Sequence, residues 1–458
     1  MCGKKEIAMV FSELKNPVFY RKTLHIMVPV MLQSLISVGV NFLDNIMIGR
    51  LGQTAISGVS LSTQFFTIFL FIFMGIGSGA NVISSQYWGA KRYDSMKVIA
   101  ATVLRIAVVI SMVFLIVTVA FPRSILRIYT NNEGIIETGF GYLRLLGCTF
   151  VFNGLCTTVT TLLRSTGHVK VPLISSLVAF FLNLFFNWVF IFGKFGAPAL
   201  GVIGAAVGTV IARTFEFLFI CGYFVLFEKN FGFRLRHAFL RDRALTRQYI
   251  RFSLPVMISD TLLGIGLSLT GVIVGHMREE FITAHSIVNA GNHMITVTNT
   301  AMAAASAVII GNTIGEGDKE RAYREGIAYI VIAVLLGAVY SLIIFALKGP
   351  YLTLYSVSDD ARAVCMELFR YLIYFSPLEM LAYCVSKGVL RGSGDTRFLM
   401  VADIVLLWVF SLPLGYLAAH VWKMAPFWVY FFLKLEYAGK GLLCTARFLS
   451  KKGIKVVG

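Results

Sequence analysis

Charge is scarce in this sequence, and acid scarcer still. Of 458 residues only 14% are charged, and Asp plus Glu number 23 against 41 Lys plus Arg. Soluble chains of ordinary usage carry about 25% charged residues, so a soluble enzyme and a disordered chain are both excluded. Cysteine is sparse as well. The seven (Cys2, Cys148, Cys156, Cys221, Cys365, Cys384, Cys444) show no C-x-x-C spacing and mostly lie inside apolar runs, which excludes a disulfide-stapled secreted domain and a zinc framework. Catalytic and nucleotide signatures are missing too. Gly75-Ile-Gly-Ser-Gly79 lacks a following Gly-Lys-Ser, no H-E-x-x-H occurs, and His285 and His293 do not have metal-ligand spacing. They read as polar cavity lining, and no enzyme activity and no cofactor are expected. The segment from Met1 to about Lys22 is too charged for a cleavable signal peptide.

Apolar sequence is what the chain has in quantity: 57% hydrophobic residues, with 39 Phe. At ~20 residues per membrane-spanning helix plus a connection, a chain of this length holds roughly a dozen. Twelve apolar runs are found, near 24–48, 57–85, 97–121, 138–162, 171–193, 200–227, 249–275, 284–312, 326–347, 366–390, 398–420 and 425–448. The longest polar break, Glu228 to Gln248, divides them six and six. The expected organisation is a cytoplasmic amphipathic amino terminus at 1–23, patterned on Phe11, Leu14, Val18 and Phe19, and a six-helix lobe at 24–227. A cytoplasmic inter-lobe loop at 228–248, a second six-helix lobe at 249–448 and a cytoplasmic tail at 449–458 follow.

The net charge of +18 invites a nucleic-acid partner, but its distribution argues for topology. With the amino terminus inside, cytoplasmic segments hold 25 Lys/Arg, counting those at span edges, against eight on the opposite side. That bias predicts both termini in the cytoplasm of a cell-membrane protein. The halves also repeat. Pro29 matches Pro255, Gly49 matches Gly275 and Gly89 matches Gly315, each at a shift of 226. Leu163-Arg-Ser-Thr-Gly167 matches Leu390-Arg-Gly-Ser-Gly394 at 227. Six spans is an even number, so both copies begin on the same side, as in parallel-repeat transporters. The predicted fold is an all-α integral membrane protein of twelve transmembrane helices. They form two pseudo-symmetric six-helix bundles around a central cleft.

Ionisable residues at mid-membrane cost about 2.5–3.5 kcal/mol on insertion scales, and by default they mark function. Asp44 lies late in the first span, and its repeat counterpart is Thr270, so the repeat itself does not require the charge. The competing reading is an interfacial Asp solvated by headgroups. Asn183 and Asn187 lie four apart, on one face of the fifth span. Amide carbonyls beside a carboxylate suit a hard cation, and Thr209 of the sixth span can add a hydroxyl. Interhelical hydrogen bonding is the alternative for the Asn pair. Glu379 and Asp260 are secondary candidates. Asp403 is expected to face cytoplasmic headgroups, Glu216 to pair with Arg213, and Glu436 to pair within the last span. Pro29 removes a backbone hydrogen bond from the first span and is the expected hinge. No energy-coupling domain is encoded in this chain, so uphill transport would draw on an ion gradient.

Together these stretches resemble the multidrug and toxic compound extrusion (MATE) family. The resemblance is carried by Phe42-Leu-Asp-Asn-Ile-Met-Ile-Gly49, Gln86-Tyr-Trp-Gly-Ala-Lys-Arg92, Leu163-Arg-Ser-Thr-Gly167 with the Asn-rich fifth span, and Leu390-Arg-Gly-Ser-Gly-Asp-Thr396. It runs from about residue 20 to 450. It implies a pair of six-helix lobes exporting an organic, often cationic, small molecule in exchange for Na+ or H+. The resemblance also implies that Asp44 belongs to the cation or proton site of the amino-terminal lobe, with Asn183, Asn187 and Thr209 around it. Some members carry Asp at the position of Asn187. Some use a Glu in the seventh span at the position of Leu263, one turn from Asp260. The expected partners are the lipid bilayer and a drug-like substrate, for a monomer without nucleic acid. The rival reading is a lipid-linked precursor flippase of the same superfamily, which would favour a more basic cavity. A membrane-embedded enzyme would need clustered His and acids, which the sequence lacks.

Overall fold

The computed structural model describes residues 13–229, 232–355 and 357–456, and among these the secondary structure is entirely helical. The amino-terminal half contains α1 (Pro17–Gly49), α2 (Gln53–Gly89), α3 (Tyr93–Ala120), the pair α4 (Glu133–Gly147) and α5 (Thr149–Ser165), α6 (Lys170–Phe192) and α7 (Val202–Phe227). The carboxy-terminal half contains α8 (Arg243–Gly275), α9 (Glu279–Gly315), α10 (Lys319–Leu352), α11 (Asp359–Tyr383), α12 (Thr396–Val421), and the pair α13 (Pro426–Leu433) and α14 (Leu435–Leu449). Among the described residues nine helices are long and apolar enough to span a membrane, and α4 with α5 makes a tenth, bent by 48°. The other two expected spans are also helical. They are α11 with the π-helical turns Cys384–Leu390 after it, and α13 with α14. The first carries several ionisable side chains, which lowers its hydropathy without removing the helix, and the second is split at Lys434 into pieces of 8 and 15 residues.

Three boundaries differ from the sequence reading for local reasons. Helix α1 begins at Pro17, so the last turn expected in a separate amphipathic segment is continuous with the first span. Proline suits a first helical position because its missing N–H would be unpaired there anyway, and the Asn16 side chain accepts from the Val18 N–H at 3.0 Å. Phe11, part of that amphipathic pattern, lies outside the described residues. The fourth span is broken at Cys148, where the Thr149 hydroxyl donates to the Leu146 carbonyl at 2.7 Å. A side chain that competes for a helix carbonyl bends the helix. The last span breaks at Lys434.

The helices group into two compact units. One comprises Val28–Ser84 and Arg92–Met257; the other comprises the described residues up to Met27, Ser85–Lys91, and the described residues from Ile258 onward. The division of α1 falls just before Pro29. In the first unit Phe69 is the centre of an aromatic cluster, 4.4 Å from Phe73, 4.6 Å from Phe150 and 5.3 Å from Phe114 between ring centroids. In the second unit Tyr371 plays the equivalent part, 4.9 Å from Phe375 and 5.0 Å from Tyr430. Between helices in lipid there is little hydrophobic driving force, so such close packing and interhelical hydrogen bonds hold each unit together.

Candidate functional site

In the unit that holds α1 from Val28 onward, an apolar layer comes first. Ile48 of α1, Ile191 of α6 and Ala205 of α7 are buried in one cluster with Val59 and Tyr142. Stepping one helical turn from each of these three residues reaches Asp44, Asn187 and Thr209. The apolar layer therefore pins three helices at the depth where their polar residues must meet, since residues four apart share a helix face. Gly208 gives the remaining clearance. A Cβ at that position would run into the Asn187 side chain and come within 2.9 Å of its backbone nitrogen.

The four polar side chains form one connected chain. The Thr209 hydroxyl donates to the Ala205 carbonyl at 3.0 Å, and its oxygen accepts from Asn183 Nδ2 at 3.4 Å. Asn183 Oδ1 accepts from Asn187 Nδ2 at 3.3 Å, and the same Nδ2 donates to Asp44 Oδ1 at 2.6 Å. Asn187 thus spends its amide N–H groups on Asn183 and on Asp44. Its carbonyl oxygen is buried and has no hydrogen-bond partner among the described residues. Such an acceptor is costly to leave unmet, and it lies beside a carboxylate.

Asp44, Asn183 and Thr209 line a cavity of about 440 Å³, while Asn187 stands behind that wall. The volume suits a small organic molecule, for which sites of about 300–1,000 Å³ are usual. The cavity reaches residues that sequence reasoning did not place there. Gln33 of α1, Arg164 of α5, Ser176 of α6, and Arg213 with Glu216 of α7 also line it. Arg164 donates to Gln33 Oε1, Gln33 donates to the Ser176 hydroxyl at 3.1 Å, and that hydroxyl donates to Glu216 at 3.1 Å. Glu216 is paired with Arg213 at 2.6 Å, as expected from their spacing. Gln33 carried a usable signal, a lone amide one turn after Pro29. Arg164 lay two residues past the expected end of the fourth span at 162.

The secondary candidates belong to the other unit. Asp260 is fully buried, and its carboxylate takes two bonds from Arg391, at 2.8 and 3.1 Å, and one from Lys387 at 2.6 Å. Lys387 also approaches Asp403 at 3.5 Å, and Lys440 joins Asp403 at 2.8 Å to Glu436 at 2.6 Å. Three acids and three bases therefore compensate one another in one buried network. Asp403 does not face headgroups: it is buried, bonded to Ser259 and to both lysines. Its interior position depends on Lys387 and Lys440, which come from the helical segments before and after α12 and meet it only through their packing. Glu436 pairs inside the last span with Lys440, while Lys434 sits over the Tyr430 and Tyr437 rings. Glu379 is buried and accepts from the Tyr371 hydroxyl at 3.2 Å. His285 contacts Asn289 at 3.2 Å and packs near Phe281 and Tyr430. Among the described residues no group of three or more His, Cys, Asp or Glu could hold a metal ion.

The geometry can be set beside known proteins. The MatE family model matches residues 29–189 and again 255–417, so its two copies begin at Pro29 and Pro255. A probable multidrug resistance protein of Bacillus subtilis, YoeA, is 24% identical over 428 residues, covering 91% of this chain and 90% of that protein. A probable multidrug resistance protein of Thermotoga maritima, NorM, is 24% identical over 458 residues, covering 97% of each. Among solved structures, an outward-facing conformation of a multidrug resistance MATE family transporter superposes with a TM-score of 0.85 at 19% identity, covering 96% of this chain and 98% of the other. A MOP superfamily transporter from Pyrococcus furiosus superposes with a TM-score of 0.85 at 17% identity, covering 96% and 97%. The shared fold is that of the two-bundle, twelve-helix transporters.

Proposed function

The chain belongs to the MatE family, whose members are transporters and not enzymes, and from that premise we propose that it is a secondary active multidrug exporter. It exchanges organic, often cationic, compounds for external Na+ or H+ across the cell membrane, with both termini in the cytoplasm and a single chain as the working unit. The observation that carries this reading is the 2.6 Å bond from Asn187 to Asp44 in the wall of a cavity sized for a small molecule.

Coupling turns on the charge of Asp44. A carboxylate withdrawn from water favours neutralisation by a proton or a bound cation. Ionised, it holds the Asn187 amide through a charge-assisted hydrogen bond, roughly twice as strong as a neutral one. Neutralised, it holds that amide less strongly. A bound cation would instead take oxygen ligands, and the unpartnered Asn187 carbonyl becomes useful after a rotation of its amide. Either way the contact of α1 with α6 and α7 depends on the ion. Pro29, fifteen residues before Asp44 in α1, weakens that helix and lets it bend as the contact changes. Substrate and ion couple when each prefers a different shape of α1, because a ligand indifferent to the two shapes shifts nothing.

The test is dye efflux from vesicles under separately imposed Na+ and pH gradients, in the wild type and in Asp44→Asn. One gradient should drive efflux in the wild type and neither should do so in the variant. Gradient-driven efflux at the wild-type rate in Asp44→Asn would remove the carboxylate from coupling.

A further inference from the structure

One side chain in the cavity wall is left over by the mechanism. Arg164 has no acidic partner among the described residues; its guanidinium donates to the neutral Gln33 amide oxygen. Its Nε is buried without a hydrogen-bond partner. The nearest acid along the polar relay, Glu216, is two side chains away and already paired with Arg213 at 2.6 Å. The buried cations of the other unit, Lys387, Arg391 and Lys440, by contrast all pair with carboxylates. The last turn of α5 offsets Arg164 only in part, through its carbonyl dipoles. A guanidinium is always charged, so the remaining deficit persists at any working pH.

We propose that Arg164 is the anchor of an oxyanion subsite in this cavity. It receives a carboxylate, sulfonate or phosphate group and so extends the range of substrates from cations to organic anions and amphoteric molecules. Three features support this. The guanidinium lines the cavity, and its planar array of donors matches an oxyanion two bonds at a time. Thr157, two turns earlier on α5, lines the same cavity and flanks the approach with its hydroxyl. Gln33, which holds Arg164, lies eleven residues before Asp44 in α1, about 16 Å along the axis at 1.5 Å per residue. The cavity therefore has an anionic region at Asp44 and a cationic one at Arg164, far enough apart for one molecule to carry opposite charges at its two ends.

The proposal rests on the cavity being the transport cavity, and a matched dye pair separates the two readings. Rhodamine 110 carries a free carboxylate, and rhodamine 123 is its methyl ester. Binding of each is measured by fluorescence anisotropy to the full chain in phosphatidylcholine nanodiscs. Arg164→Gln should weaken rhodamine 110 about tenfold, the usual consequence of losing a hydrogen bond to a charged group, and leave rhodamine 123 within about twofold. Arg164→Lys should keep much of the preference. Equal weakening of both dyes, or none for rhodamine 110, overturns the subsite. Should Arg164→Gln fail to fold, the wild type decides. Protection of Arg164 from phenylglyoxal by rhodamine 110 and not by rhodamine 123 supports the subsite, and equal protection by both overturns it. Replacing part of the lipid with phosphatidylglycerol identifies the source of the oxyanion. Displacement of rhodamine 110 assigns it to a lipid phosphate, and unchanged binding assigns it to the soluble substrate. Efflux of rhodamine 123 that depends on Asp44 would sustain the exporter reading even where the subsite failed. Arg164-dependent binding without any efflux would do the reverse.

Discussion

Asn187 donates to the carboxylate of Asp44 at 2.6 Å across 143 residues of sequence, from a position behind the cavity wall that Asp44 itself lines. The amide is therefore in a position to sense the charge of a group whose other side faces the cavity. That relationship makes Asn187 as informative to mutate as the acid.

Asn187→Ala removes the donor and leaves the carboxylate in place. Losing one charge-assisted hydrogen bond costs about 1.5–3 kcal/mol, and efflux driven by the coupling ion should fall at least tenfold. Substrate binding without a gradient should change little, because the Asn187 side chain does not line the cavity. The check is to measure dye binding and gradient-driven efflux in the same preparation; parallel loss of both would make the residue merely structural.

Reciprocal coupling is the second expectation. Substrate affinity in the wild type should fall when Na+ is added or the pH is lowered, and fall much less in Asp44→Asn, since coupling free energies are mutual. Pro29→Ala restores a backbone hydrogen bond to α1 and should stiffen it. In that variant the ion should still bind while the drop in substrate affinity shrinks. Isothermal titration with and without Na+ reads both effects.

Asp260→Asn should act on stability. It leaves Arg391 and Lys387 without a carboxylate they share at 2.8 and 2.6 Å. Removing one member of a buried ion pair costs about 3–5 kcal/mol, so the melting temperature of the purified protein should drop clearly. Glu379→Gln, which alters a single 3.2 Å bond to Tyr371, should lower it far less. A melting temperature unchanged in Asp260→Asn would show that the network carries little of the fold.

Orientation is open to direct labelling. A cysteine introduced at Arg241, in the segment between the halves, should resist an impermeant thiol reagent applied to intact cells and react in inverted vesicles. Labelling in intact cells would reverse the topology on which inward and outward are assigned.

Much of this protein was legible along the chain because membranes impose one-dimensional rules. A span must be apolar over about 20 residues, and repeats show themselves at a constant offset. The helical architecture and the pairing of Pro29 with Pro255 could therefore be read directly. Asp44, Asn183, Asn187 and Thr209 could be singled out because each is polar in an apolar run. Their meeting point was another matter. It depends on Ile48, Ile191 and Ala205 packing into one layer, on the clearance at Gly208, and on the direction in which each amide points. The same limit explains Asp403, which looked interfacial until Lys387 and Lys440 arrived from other helices, and Arg164, which fell beyond the expected fourth span until its contact with Gln33 placed it in a cavity. An isolated buried charge is costly unless something pairs with it. Composition can locate such charges, but which charge meets which, and which is left unmatched, depends on contacts between helices far apart in sequence and was settled only by the tertiary fold.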